Sequence, residues 1–349
     1  MVQLSAGKFW GLRRLADGAG RFKMTALDQR PPIEDPIRRH YGTAQAPWED
    51  VARFKELLIE QLQPESSAML LDPHYAYPRG VSKLDPRLGL ILTLEDSAFS
   101  DLPGGRRSAE IDDWSVQKIK RIGGDAVKVL AWYRPDADPG VCRAQQDFVR
   151  NIGQSCRRFD LPFVFELLVY PLAGESDQTR DYVETKSKRP QLVLDSVREF
   201  ADPSYGIDVF KLESPVPAAQ LPESGAHAAA DAQHWFDALG EAAGRPWVML
   251  SAGAGAGQFR RVLEYAYRAG ACGYLAGRAI WLEAFQQFPD WDGIRRELAG
   301  PALAYMRELN VLTDAKAQPW FAHPCFGTEG PRVVPADGSF RQSYPDFGA

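Results

Sequence analysis

Two lysines and a glutamate stand inside runs of apolar residues, where charge is costly. In Ala126-Val127-Lys128-Val129-Leu130, strand alternation sets Val127 and Val129 on one face and Lys128 on the other. Val209-Phe210-Lys211-Leu212 repeats the arrangement, and Phe163-Val164-Phe165-Glu166-Leu167-Leu168 carries a lone carboxylate among large apolar side chains. A lysine is rarely buried unless it is paired or put to use. Two buried together favour the neutral amine, because burial and a neighbouring cation both push the pKa down. An unperturbed lysine is neutral in about one molecule in 2,500 at pH 7, so bringing its pKa to ~7 is worth roughly 4.6 kcal/mol. A neutral amine adds to a ketone and forms an imine, an electron sink for breaking the adjacent carbon–carbon bond. Glu166 lies between the two lysines in strand order and is the candidate to move the protons. The competing reading is an ordinary buried Lys–Glu–Lys charge cluster.

Other residues add to the chemistry. Asp28-Gln29-Arg30 closes the first apolar run and offers a carboxylate, an amide and a guanidinium toward the same end, although Asp28 is also suited to capping the segment after it and Arg30 to pairing with an outside acid. Leu250-Ser251-Ala252-Gly253-Ala254-Gly255 leads into a helical pattern, and Gly273-Tyr274-Leu275-Ala276-Gly277-Arg278 comes after it. Ser251, Gly253, Gly277 and Arg278 thus make a phosphate cradle of backbone N–H groups, a positive helix end and a bidentate cation. No metal set is present: the five histidines are isolated, and His227 and His234 are seven residues apart. His74 reads as a surface-loop histidine. The expected chemistry needs neither metal nor cofactor.

The elements that must hold these groups emerge from the hydrophobic pattern. Eight short apolar runs, the first from Phe22 to Asp28 and the last from Gly273 to Trp281, alternate with amphipathic segments such as Phe259, Val262, Leu263 and Ala266. Strands that are apolar on both faces need helices outside and a packed interior, which points to a single-domain α/β fold, a (β/α)8 TIM barrel. In such barrels the loops after strands seven and eight are where phosphate is commonly held. Two doubly wound domains are the alternative, disfavoured because no G-x-G-x-x-G comes after the first strand. The expected division is an N-terminal segment 1–21, the barrel 22–310 with its last helix over Ile294 to Leu309, and a Pro/Gly-rich tail 311–349 that is not helical. The Trp320, Phe321 and Phe326 cluster in that tail is expected to dock on the barrel or a neighbouring subunit. Long connections over Ser97 to Asp113 and Pro171 to Pro190 come after strands three and five, on the face where loops carry function.

Composition bounds the partners. The 349 residues carry 41 Lys+Arg against 46 Asp+Glu, a net charge of −5 that excludes a broad basic nucleic-acid footprint. Four cysteines without a CxxC pair suggest neither a disulfide framework nor a zinc ribbon, and no apolar run approaches a membrane span. Lys8, Arg13 and Arg14 stand where a signal peptide needs an apolar core. A cytoplasmic protein is expected, with a small sugar phosphate as partner, no nucleic acid and no membrane; a homo-oligomer is compatible with these features.

Several stretches together resemble the class I tagatose 1,6-bisphosphate aldolases, whose relatives include the sulfofructose phosphate aldolases. They are MTALDQR at 24–30, LLDPHYAYP at 70–78, WSVQKIKRIGGDAVKVLAWY at 114–133, PFVFELLVY at 162–170, YGIDVFKLESPV at 205–216, LSAGAG at 250–255 and LAGRAIW at 275–281. The resemblance implies that Lys211 is the Schiff-base lysine, Glu166 the acid/base, and Lys128 a neighbour that tunes the amine and contacts substrate. It implies that Asp28 and Gln29 hold substrate hydroxyls and that Ser251, Gly277 and Arg278 bind the phosphate of the dihydroxyacetone phosphate half. The implied reaction splits a ketose 1-phosphate, tagatose 1,6-bisphosphate first among them, into dihydroxyacetone phosphate and glyceraldehyde 3-phosphate. A sulfonated sugar phosphate, or a sugar-phosphate-binding regulator without catalysis, are the alternatives. Where the family carries a Lys-Thr-Gly-Tyr-like stretch after strand three, this chain reads Leu94-Glu95-Asp96-Ser97-Ala98-Phe99, and then Arg106-Arg107, in a loop that would cover the far end of the sugar.

Overall fold

Alternation along eight short strands builds two cores and a charged layer. The strands are β1 (Phe22–Ala26), β2 (Ala68–Leu71), β3 (Gly89–Thr93), β4 (Ala126–Trp132), β5 (Phe163–Leu168), β6 (Val209–Leu212), β7 (Trp247–Met249) and β8 (Gly273–Ala276). In the computed structural model, which describes residues 2–175, 190–223, 228–334 and 336–346, they run parallel and close on themselves, with Gly273 of β8 opposite Phe22 of β1. The fold is the expected (β/α)8 barrel.

Val127, Val129 and Ala131 of β4, Phe163, Phe165 and Leu167 of β5, and Phe210 and Leu212 of β6 point outward into the core shared with the helices. The alternate residues point inward. At the N-terminal end of the barrel, Met24, Ile91, Ala126, Val164, Val209, Val248 and Leu275 form an apolar plug. Two residues further along their strands come Lys128, Glu166 and Lys211, all buried. Above them Trp132, Leu168 and Leu250 form a small apolar cluster near the mouth. A two-residue period therefore sets the charged layer between an apolar floor and an apolar rim.

The floor is sealed from below. Leu12 and Leu15 of the helix Ala6–Leu15 join the plug, and so do Trp320 and Phe326 of the tail. Trp320 packs edge-on to Phe9 at 6.0 Å between ring centroids, and Arg332–Val333 pairs with Gln3–Leu4. The expected docking of the aromatic cluster thus falls on the barrel floor for Trp320 and Phe326, while Phe321 is 43% exposed.

One expectation about the tail is corrected. The helix that closes the barrel covers Leu303–Lys316 and passes through position 311, because that stretch holds neither proline nor glycine and its Asn310 and Thr313 are hydrogen-bonded to Tyr274 and Tyr267 of the barrel. A short helix, Phe340–Ser343, lies further on. Of the long connections, the first folds into a hairpin of Ser100–Leu102 with Gly105–Arg107. Most of the second, residues 176–189, lies outside the described residues, as does His227. No helix among the described residues is long and apolar enough to cross a membrane.

Candidate active site

Sheet register brings the predicted charges together. Glu166 of β5 lies opposite Lys211 of β6 and opposite Leu130 of β4, so Lys128, two residues below Leu130, shares its inner face. The Glu166 carboxylate consequently bridges both lysines, with Oε2 2.6 Å from Lys128 Nζ and Oε1 2.9 Å from Lys211 Nζ.

Lys128 has two more partners. Asp28 Oδ2 lies 2.8 Å from its Nζ and Glu95 Oε1 lies 2.5 Å away. An ammonium has three N–H donors, and here each has a carboxylate to meet. Burial opposes the charge on Lys128, but the carboxylates of Asp28, Glu166 and Glu95 outweigh it and hold its pKa well above the ordinary lysine range. The expectation that burial and a second cation drive both lysines toward the neutral amine is therefore reversed at Lys128. Three nearby negative charges dominate over one positive neighbour.

The carboxylates respond differently to the same cage. Burial pushes Asp28 and Glu166 up, yet the ammonium groups of Lys128 and then Lys211 bring both below the usual carboxylate range. Glu95 goes the other way: burial exceeds the pull of Lys128, and the charge of Asp28 adds to the rise. Lys211, by contrast, contacts one carboxylate among the described residues, the one it shares with Lys128.

Glu95 is a site residue that the sequence reading misses. Its signal is present in Ile91, Thr93 and Glu95, which continue the inward phase of β3 past the end of its ladder. Thr93 Oγ1 donates to Glu95 Oε2 at 2.6 Å and fixes the carboxylate toward Lys128.

The second group of predicted residues gathers across the mouth. After β7 the chain turns through Ala252 and Gly253, both left-handed at φ 47° and 79°, and Ala254 N–H donates to the Ser251 carbonyl at 2.8 Å. A non-glycine residue held in that region costs of order 1–3 kcal/mol, and consecutive turns of this kind form concave sets of amides suited to an anion. Arg278, buried at the start of the helix Arg278–Phe285, brings its Cζ to 3.5 Å from where a β-carbon on Gly253 would stand. Gln29 reaches the same region: a β-carbon on Gly277 would lie 3.0 Å from its Nε2. Asp28, Gln29, Ser251, Gly253, Gly277 and Arg278 thus ring the C-terminal end of the barrel beside Lys128, Glu166 and Lys211.

A cleft opens over Lys128 and Glu166, lined by Asp28, Gln29, Arg30, Phe99, Leu130 and Trp132. Arg106, expected to cover the far end of a sugar, is buried in the hairpin, where its guanidinium sits 4.3 Å from the Phe99 ring and 4.9 Å from that of Trp132 and its Nε donates to Asp101 at 3.1 Å. It shapes the wall through those rings. His74 is exposed on its loop, as expected.

Comparison with known proteins supplies the context. The model of the DeoC/LacD family aldolases matches residues 23–283. The chain is 32% identical over 329 residues to a tagatose 1,6-diphosphate aldolase of Listeria monocytogenes, covering 92% of this chain and 96% of that one. It is 31% identical over 334 residues to tagatose 1,6-diphosphate aldolase 2 of Enterococcus faecalis, covering 92% and 98%. Among solved structures, a fructose-bisphosphate aldolase from Plasmodium falciparum superposes with a TM-score of 0.61 at 11% identity, covering 91% of this chain and 98% of that one. An archaeal fructose 1,6-bisphosphate aldolase does so with a TM-score of 0.51 at 18% identity, covering 88% and 98%. At these identities the superpositions speak to the barrel alone.

Proposed function

The chain belongs to the DeoC/LacD family of aldolases, which are carbon–carbon lyases, and on that premise we propose that it cleaves a ketose 1-phosphate through an imine on Lys211. Tagatose 1,6-bisphosphate is the foremost substrate, giving dihydroxyacetone phosphate and glyceraldehyde 3-phosphate. The observation that carries this reading is the unequal clamping of two buried lysines that share Glu166: three carboxylates fix Lys128 as a cation, whereas Lys211 contacts one. Of the pair, Lys211 is the less tightly clamped among the described residues, and it takes the role of nucleophile.

The cycle is built on that geometry. Lys211 passes a proton to Glu166 Oε1, 2.9 Å away, and its nitrogen attacks C2 of the open-chain ketose. Glu166 returns the proton to the carbinolamine hydroxyl, which leaves as water and gives the iminium. As a carboxylate again, Glu166 takes the proton of the C4 hydroxyl, the C3–C4 bond breaks, and its electrons neutralise the iminium as an enamine while the aldehyde departs. Protonation of the enamine at C3 and hydrolysis of the imine release dihydroxyacetone phosphate and free Lys211. Ser251, Gly253, Gly277 and Arg278 hold the 1-phosphate, and Asp28 and Gln29 receive substrate hydroxyls, since Asp28 Oδ1 and Gln29 Oε1 are buried with no hydrogen-bond partner. Lys128 keeps its charge throughout and holds Asp28, Glu95 and Glu166 around the reacting carbons.

The test is a coupled assay for triose phosphate release from tagatose 1,6-bisphosphate, with Lys211→Met beside the parent. The variant is expected to keep its thermal melting behaviour and lose turnover. Turnover surviving in Lys211→Met would move the nucleophile to Lys128.

A further inference from the structure

Protonating the enamine at C3 takes an acid that holds its proton near neutral pH and reaches the reacting carbons. Three carboxyl groups line the cleft over Lys128, those of Asp28, Glu95 and Glu166. Glu166 faces an ammonium at each oxygen, Lys128 at Oε2 and Lys211 at Oε1, and Asp28 Oδ2 is held by Lys128. Burial pushes both acids up, but the two lysines bring them below the usual carboxylate range, so each gives up a proton readily. Glu95 is different. Its Oε1 faces Lys128 at 2.5 Å, while its Oε2 faces a neutral hydroxyl, Thr93 Oγ1, at 2.6 Å. A hydroxyl accepts as well as donates, so Glu95 can carry a proton on Oε2 and keep that bond, which an ammonium partner forbids. Burial, with the charge of Asp28 beside it, pushes Glu95 above the usual carboxylate range against the pull of Lys128 and Arg30.

The backbone around Glu95 is pinned on three sides. Leu94 N–H donates to the Lys128 carbonyl at 3.0 Å, Asp96 N–H to that of Ala109 at 2.8 Å, and Arg30 Nη2 to the Glu95 carbonyl at 3.0 Å. The side chain, 3% exposed, is thereby held toward the charged layer. An eight-stranded barrel is just wide enough inside for its side chains, so a carbon chain bound to Lys211 of β6 extends across it toward β3 and β4. We propose that Glu95 is the acid that protonates the enamine at C3, so that Glu166 and Glu95 divide the proton transfers between them. The O–H bond of Glu95 breaks, the C3–H bond forms, and the enamine nitrogen gives up its electron pair to restore the iminium. Glu95 then regains a proton from the water of the cleft, to which Glu166 has released the one taken from the C4 hydroxyl, and no net proton is gained or lost. In the direction of condensation the same carboxylate removes a C3 proton from the dihydroxyacetone phosphate iminium. This rests on the imine reading above and adds a second acid to it.

The test incubates the parent and Glu95→Gln with dihydroxyacetone phosphate in heavy water and reads two rates, borohydride trapping of the iminium and deuterium entry at C3. Trapping needs only Lys211 and Glu166 and should stay within about 3-fold of the parent, whereas exchange at C3 should fall by about 100-fold or more, the scale of a lost general acid–base group. In cleavage of the ketose the variant should release aldehyde in a burst and then turn over slowly. Glu95→Asp keeps an acid and should lose less exchange than Glu95→Gln with trapping unchanged, which covers the case of a glutamine variant that folds poorly. Exchange retained in Glu95→Gln, or trapping and exchange falling together in both variants, overturns the role of Glu95 and leaves the aldolase reading intact. Absence of any trapped adduct in the parent overturns both.

Discussion

At the scale of single residues, the charged layer of the barrel divides labour between two lysines that look alike in sequence. Lys128 is a structural cation whose raised pKa has a definite consequence for stability. A group raised in the folded state stabilises it fully below its ordinary value of 10.5 and loses that contribution as pH rises through the folded value. Asp28 and Glu166 are depressed, so their contributions are present above the ordinary values of 3.8 and 4.5 and are lost as pH falls through the folded ones. Removing the shared cation should reverse that acid limb. Lys128→Met leaves three buried carboxylates facing one another, which should cost about 3–5 kcal/mol near pH 7. Because those acids then prefer the protonated form, the variant should recover stability as pH falls from neutrality through the carboxylate range, where the parent loses it. Urea unfolding measured at intervals across that range checks the sign, and parallel curves for parent and variant would contradict the cage.

At the scale of elements, the strands hold the floor at their N-terminal ends and carry the charged layer two residues further on. The inner phases of β4, β5 and β6 are legible in Val127-Lys128-Val129 and its counterparts, because a period of two is enough to say which side chains share a face. The partners of Lys128 are not. Asp28, Glu95 and Glu166 come from three different strand regions, and only closure of the barrel makes them converge on one nitrogen. Glu95 lies beyond the end of its ladder, where alternation loses its force, and so reads as loop. The turn after β7 reads in sequence as a weak glycine run, and its left-handed pair at Ala252 and Gly253 gives it specific content. Gly253→Ala puts a β-carbon at φ 79° beside Arg278, and the strain should cost about 1–2 kcal/mol. Kinetics should show KM for the phosphorylated ketose rising more than kcat falls; an unchanged KM would separate this turn from the phosphate.

At the scale of the whole molecule, stability and chemistry occupy opposite ends of one cylinder. The floor is sealed by the chain's two ends, with Trp320 buried at 2% exposure against Phe9 and Phe326. Composition marks the tail as proline-rich and anticipates its aromatic contacts, but it places the end of the helix that closes the barrel too early, because Leu303–Lys316 owes its extension to bonds with Tyr267 and Tyr274 that only the closed barrel supplies. Trp320→Ala should cost about 3–5 kcal/mol and lower the melting temperature while leaving kcat/KM unchanged at temperatures where the protein stays folded. A fall in kcat/KM at such temperatures would mean that the floor and the mouth are coupled. The covalent bond between Lys211 and dihydroxyacetone phosphate is the most direct observable of the proposed chemistry. Borohydride reduction of the parent protein with that triose, and then intact mass and peptide mapping, should find one added triose phosphate on the peptide that holds Lys211. A modified Lys128, or a protein whose mass does not change, would contradict it.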